Sequence, residues 1–401
     1  MPALANTRFI SLFFAFLCTL VSVTSFLFPL NANAQELVQD EHVVMKAKVR
    51  EVLSQEERLV PGTDVHSTYQ KISVEIISGP EKGNIVTIEN DYLSLSKGEA
   101  FYLNRITNGL DGTVLYAVKD PDRLPALAFF AALFLLCTIF FGGMQGLRGL
   151  ISLAGSLFLI LYVLLPGILN GHSALWLSVG VSALIIILGS YITHGFNKTT
   201  SAAVLGMLTT VLCTGGLAYV AVHWGRLSGF SSDESIYLDM ATRGSIDFAG
   251  LLLGGILIGL LGVLYDAAIG QAVSVEELHR AAPHLSRRAI YLRALRIGRE
   301  HIGALVDTLA IAYVGVSLPL LLLFSNSTTE TVGITLNREL FATEIIRAMI
   351  GSIGLILAVP ITTALSVMIL IKPATGSNAA IIEEEEKALE MGAGKHHGHS
   401  H

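Results

Sequence analysis

Charge is scarce in this sequence. Only 14% of its 401 residues are Asp, Glu, Lys or Arg, where a soluble domain carries roughly a quarter. Cysteine is scarcer: Cys18, Cys137 and Cys213 are the only three, and each falls inside an apolar run. That excludes a disulfide framework, and the lack of CxxC spacing excludes the usual structural zinc site. Also missing are GxSxG, HExxH, a P-loop and a glycine fingerprint that follows a strand and opens a helix. No soluble-enzyme constellation is left, so the expectation is a non-enzyme without a cofactor.

Hydrocarbon is what the chain has in excess. Hydrophobic residues make up 52% of it, and mean hydropathy is +0.62. One aqueous core cannot hold so much apolar surface arranged in long uncharged runs, so the implied solvent is a lipid bilayer.

The first segment reads as an export signal. Arg8 precedes an apolar run from Phe9 to Leu30, and Asn31-Ala32-Asn33-Ala34-Gln35 supplies a small-x-small site with cleavage after Ala34. The run exceeds the usual 7–15 residues, so an uncleaved anchor is the alternative for 1–34.

Residues 35–122 differ in kind: polar, charged and alternating. Strands are expected over His42–Arg50, Tyr69–Ile77, Asn84–Glu89, Ala100–Ile106 and Val114–Val118, parted by turn signals such as Gly79-Pro80 and Asp111-Gly112. Five short strands point to a small extracytoplasmic barrel of the OB or SH3-like kind. It has no aromatic platform and no basic stripe, which excludes nucleic acid as a partner and leaves a structural or protein-docking module.

After Pro121 come apolar runs at about 124–142, 149–169, 173–193, 201–223, 247–271, 302–324 and 342–371, each near the roughly 20 residues that cross a bilayer. The last contains Pro360 and is expected to tilt, kink or lie partly at the interface. The expected fold is thus an α-helical polytopic membrane protein of about seven transmembrane helices, spanning 123–372 behind the β domain. Orientation follows twice over. Export puts the β domain outside. The loops then inside hold Arg148, Lys198 and the cluster Arg280, Arg287, Arg288, Arg293, Arg296 and Arg299, with Lys372 after the last span. Outer loops hold Arg226, Arg243 and Arg338, which is the positive-inside bias. A multi-pass bacterial plasma-membrane protein with a cytoplasmic C-terminus is expected.

The outer loop His223–Ser245 contains Ser231-Ser232-Asp233-Glu234, an N-cap with an acidic first turn, and predicts a short surface helix. The inner loop Ala272–Glu300 is basic, helix-prone on both sides of Pro283, and reads as an orienting segment attracted to anionic lipid, with recognition of a phosphate or a cytoplasmic partner as the alternative. The tail, 373–401, runs from Glu383–Glu386 to His396, His397, His399 and His401. It reads as a solvated, disordered segment, with weak metal binding as the alternative.

An ionisable residue inside a span is a functional hypothesis by default. Asp266 shares a helical stripe with Gly255, Gly259, Gly262 and Gly270, and the glycines are expected to admit another helix closely. Glu344, Arg347, Gly351, Gly354 and Ala358 repeat the pattern in the last span, with Glu344 and Arg347 able to pair. Asp307 sits about two turns into the sixth. Asp266, Asp307, Glu344 and Arg347 are therefore the candidate ion, proton or substrate site. His194 and His223 lie near opposite faces and cannot share a metal.

Several stretches carry a resemblance: Gly262-Val263-Leu264-Tyr265-Asp266, Arg299-Glu300-His301-Ile302-Gly303, Thr308–Gly315, Ser317–Leu323 and Glu344-Ile345-Ile346-Arg347. On these the chain resembles the YibE/F-like family of bacterial membrane proteins, most strongly from Asp247 to Thr363. The resemblance implies a multi-spanning protein presumed to take part in transport, without a mechanism. Tyr265 stands where a carboxylate is expected, and Asp307 where similar sequences often place Asn. Two functions stay open: an ion- or proton-coupled transporter or channel, and a membrane scaffold or sensor whose β module reads a protein partner.

Overall fold

The computed structural model describes residues 41–59, 62, 66–109, 111–326 and 331–371. The export signal and the histidine-bearing tail lie outside them.

Five antiparallel strands build the N-terminal sheet: β1 (Glu41–Leu59), β2 (His66–Ile76), β3 (Ile85–Asn90), β4 (Ala100–Thr107) and β5 (Val114–Pro121). They lie in the order β3-β2-β1-β4-β5. β1 outruns its expected end at Arg50 because it changes partners along its length. It pairs with β4 from Glu41 to Lys48 and with β2 from Ala47 to Leu59. Register shifts after Val49 and Val52 bend the strand between its two neighbours, as bulges do.

Alternation sends Met45, Ala47, Val49, Ile72, Val74, Ile76, Phe101 and Leu103 into one buried face. Leu95, from the β3–β4 connection, closes the end of that core. It is fixed there by buried Gln70, which accepts from the Leu95 amide at 2.8 Å and donates to its carbonyl at 3.1 Å. Glu81 then ties the far strands back, accepting from the Tyr116 hydroxyl at 2.7 Å and pairing with Arg105 at 3.2 Å. The closed barrel expected from sequence is not completed. β3 and β5 share no ladder among the described residues, so the sheet is a half-barrel.

The remaining elements are helical: α1 (Leu124–Leu159), a π-helical turn over Ile160–Leu164, α2 (Leu165–Leu169), α3 (Ala174–His194), α4 (Lys198–Trp224), α5 (Asp233–Thr242), α6 (Phe248–Ala281), α7 (Arg287–Val316), α8 (Leu318–Ser325), α9 (Val332–Asn337) and α10 (Glu339–Leu370). By contacts the chain falls into two compact units, one ending at Phe140 and the other beginning at Phe141. Among the described residues five helices are long and apolar enough to cross a membrane, or six if the bent pair α7 and α8 counts as one.

Side-chain caps set several helix starts. Asn197 accepts from the Thr200 amide, Asp247 from Gly250 and Ser286 from Ala289, and Ser232 with Ser235 forms a capping box on α5. α5 is the surface helix expected from Ser232-Asp233-Glu234.

Two sequence expectations are corrected. The gap between the first two apolar runs is helical apart from Gly143, whose φ of 54° breaks α1 internally; glycine takes that conformation without a Cβ penalty. The sixth run is not straight. α7 stops at Val316, and α8 leaves it at 70°. Pro319 has no N–H to give the Gly315 carbonyl four residues back, so the helix cannot simply continue. The basic inner loop is helical on both sides of Pro283, as its sequence suggests, with α6 running on to Ala281 and α7 beginning at Arg287. α10 runs through Pro360 as a single helix.

α4, α6 and α10 form the centre, with Val204, Met207, Val211, Leu257, Leu260, Leu264, Leu355 and Ala358 buried among them. Small residues set their spacing. Gly206 lies against Thr362, and Gly354 against Thr214 and Leu260. Buried hydroxyls serve as internal partners, for example Thr210 donating to the Gly206 carbonyl at 2.8 Å, the role polar groups take between apolar helices. Arg287 fastens the other end. Its guanidinium donates to the carbonyls of Ile371 and Met368, placing positive charge on the negative end of α10.

Candidate functional site

Three helices, α6, α7 and α10, pack on one another and carry every candidate residue. The candidates divide into two stations.

The first lies toward the C-terminal half of α6. Asp266, Gln271, Ser274 and His301 line a half-enclosed cleft of about 210 Å³, completed by Leu305, Val359, Ala267 and Gly270. Gln271 is 4% exposed and accepts from the Thr363 hydroxyl at 2.8 Å. Gly298 makes this possible: a Cβ there would stand 2.5 Å from Gln271 Nε2 and from a Val359 methyl. Asp266 itself is exposed at the cleft edge. It is close enough to His194 at the end of α3 for their charges to interact. A carboxylate sharing a cleft with an imidazole, a primary amide and a hydroxyl can accept, hold and pass a proton, or ligate a small cation.

The second station lies near the start of α10. Glu344 Oε1 accepts from Arg347 Nη1 at 2.8 Å, with the two side chains 24% and 29% exposed. Ser317, the residue between α7 and α8, has its hydroxyl 3.4 Å from Glu344 Oε2. Tyr313 stands between the helices: a Cβ on Gly259 would be 2.9 Å from its hydroxyl, and one on Gly351 3.8 Å from its ring. Glu344 therefore meets a helix break, a serine and a cation rather than lying on an open surface. Fifteen residues of α10 separate Glu344 from Val359, about 22 Å at the helical rise. Between the stations Leu309 packs on Gly351 and Leu260 on Gly354, an apolar layer.

The structure does not bring the three carboxylates together. Asp307 is exposed on α7 and lines neither station. Gly255, Gly262, Asp266 and Gly270 share an exposed face of α6 with Gly259, and a Cβ at Gly255, Gly262 or Gly270 would meet open space. On this stripe only Gly259 receives a neighbouring helix. Close packing of α6 falls instead to Gly254, set against Ser178 of α3. Gly351 and Gly354 are both buried contacts of α10.

Sequence reasoning weighed ionisable residues in the spans and passed over neutral polar ones, so Gln271, Ser274, Thr363, Tyr313 and Ser317 were missed. Their signal was present: a polar residue inside an apolar run needs a partner as much as a charged one does. Among the described residues no group of three or more His, Cys, Asp or Glu could hold a metal ion. His396, His397, His399 and His401 lie outside those residues.

A family model described as YibE/F-like protein matches residues 130–372, more than half of the chain. No curated protein matches the chain, and no solved structure does.

Proposed function

The chain belongs to the YibE/F-like family, and from that premise we propose that it is a bacterial plasma-membrane protein that moves protons or another small cation along the α6–α7–α10 interface. The observation that carries this reading is the polar cleft at Asp266, set where three apolar helices meet. A carboxylate costs several kcal/mol at membrane depth unless it is partnered or hydrated, and here His301 and Gln271 line the same cleft. The Glu344–Arg347 pair beside the α7–α8 break would be the second station of the route. Broken helices with polar residues at the break are where many transporters bind ions.

In this reading the chain crosses the bilayer seven times. The stretch Leu124–Leu169 is 46 residues long, about 69 Å of helix against roughly 30 Å of hydrocarbon. It therefore counts as two crossings divided at Gly143, and the bent pair α7–α8 counts as one. Positive-inside bias puts the half-barrel outside and the C-terminus in the cytoplasm. The exposed Arg293, Arg296 and Arg299 of α7 would then face anionic lipid headgroups. No catalytic step and no cofactor belong to this reading.

The second reading, a non-transporting scaffold or sensor whose half-barrel binds a protein, is favoured by the apolar layer of Leu260 and Leu309 between the stations. One experiment separates them. Parent protein and Asp266→Asn are reconstituted into liposomes and scored for melting temperature and for proton-coupled flux of a panel of ions and small solutes. Transport predicts parental stability in the variant with coupled flux lost. If the parent moves nothing, or Asn retains full flux, the scaffold reading stands in its place.

A further inference from the structure

The sides of α5 are the wrong way round for water. A surface helix of a soluble protein turns its apolar stripe inward and its polar side out. Here Ser235, Leu238, Asp239 and Thr242 face the bundle and are half-buried, and Ser235 and Leu238 roof a cavity of about 420 Å³ between α3 and α6. Leu238 is the one large apolar side chain of those four, and it packs on the cluster that holds Ile246 and Phe248. The opposite side carries Ile236, Tyr237 and Met240, which lie within about 100° of one another around the helix axis. All three are exposed, Tyr237 and Met240 by 77% and 76%, and no residue of α5 is fully buried.

Its place in the chain names the medium that covers this apolar side. α5 lies between the end of α4 at Trp224 and the start of α6 at Phe248, and both of those helices are long and apolar enough to cross a membrane. α4 shows Leu212, Tyr219 and Val220 to its surroundings, and Trp224 at its end is 87% exposed. Phe230, in the connection to α5, packs its ring against Phe248 with centroids 4.5 Å apart, which holds the connection at the end of the span. Tryptophan and tyrosine at the end of a span mark the level of the lipid headgroups, so the exposed side of α5 continues a lipid-facing surface. Charge does not draw it there, because Asp233, Glu234 and Asp239 outnumber Arg243.

We propose that α5 is an interfacial helix lying along the bilayer surface, with Ile236, Tyr237 and Met240 among the upper acyl chains and its hydroxyl-bearing side over the cavity. Helices of this kind sink about 5–10 Å into the boundary between headgroups and chains. Asp233 is exposed in the first turn, so the N-terminal end stays among the headgroups and Met240 reaches deeper. The inference rests on the membrane reading of the chain and on neither transport nor orientation, since α4 ends and α6 begins in the same leaflet either way.

The test puts one tryptophan on α5 in the full chain, held in nanodiscs of uncharged phosphatidylcholine. Trp176 and Trp224 are the only native tryptophans and both are exposed, so Trp176→Phe and Trp224→Phe clear the background. Tyr237→Trp should lose about half its emission to lipids brominated near the headgroup end of the chain, less to lipids brominated near the methyl end, and little to aqueous acrylamide. Leu212→Trp, midway along α4, is the control and should favour the deep bromines. Added salt should change neither pattern, since the contact is apolar. Quenching of Tyr237→Trp by acrylamide alone would put α5 in water, and protection from every quencher would put a protein surface over it; either result overturns the proposal. Were Leu212→Trp also spared by bromine, the membrane reading would fall with it. A second measurement pairs Ile236→Gln with Met240→Gln, two side chains that point away from the bundle. Melting should match the parent while the α5 amides exchange hydrogen at least about tenfold faster, and unchanged exchange would equally overturn the proposal.

Discussion

Gly354 of α10 leaves room for two neighbours that nothing larger would admit. Thr214 Oγ1 and a Leu260 methyl lie 2.6 and 2.8 Å from where a Cβ would stand. Gly262 of α6 is the opposite, with nothing within 4 Å. Gly354→Val should therefore destabilise the protein by about 1–3 kcal/mol, the usual cost of overpacking, and Gly262→Leu should leave stability near the parent's. Thermal melting of the two purified variants decides it; equal melting would mean that α4, α6 and α10 do not pack as described. Periodicity picked out both residues equally. It tells which residues share a face of a helix, not which face is covered, and α6 is apolar all round. The bulk on its other side, Leu253, Leu257, Leu260 and Leu264, took the core and turned the glycine stripe outward.

Among elements, the β4–β5 hairpin and the start of β1 show how local bonds fix the small unit. The Asp111 carboxylate accepts from the backbone amide and then the hydroxyl of Thr113, which pulls its pKa below the ordinary 3.8. Lys46, in β1, is raised above 10.5 first by its hydrogen bond to Asp122. A lowered carboxyl stabilises the fold above its unfolded pKa and loses that as pH falls through the folded value; a raised lysine does so below its unfolded pKa and loses it as pH climbs. Protection of the Thr113 amide against hydrogen exchange, corrected for intrinsic rates, should thus fall as pH drops below about 4, and Asp111→Asn should flatten that dependence. An unchanged profile in the variant would remove Asp111 from the turn's stability. Strand positions, turns and the α5 cap were legible in the sequence because each is a local signal. β1 ran longer than its pattern because a strand that switches neighbours needs no single alternation. The break after α7 was overlooked for another reason: Leu318–Phe324 stays apolar through it, and hydropathy carries no information on direction. Ser317 and Pro319 were the local clue.

On the scale of the whole chain, the seven-crossing reading makes a simple demand. A reporter active only in the cytoplasm should work when fused after Ile371, and one active only outside should work when inserted at Gly62. The reverse pattern would overturn the orientation and put the half-barrel in the cytoplasm. The break at Ser317 has a mechanical meaning as well. α8 has eight residues, about 12 Å of rigid rod, joined to a far longer one at a single residue. Such a joint is a crank. Each 10° of rotation about Ser317 would carry the far tip of α8 sideways by about 2 Å, while Glu344, seated at the pivot, would barely move.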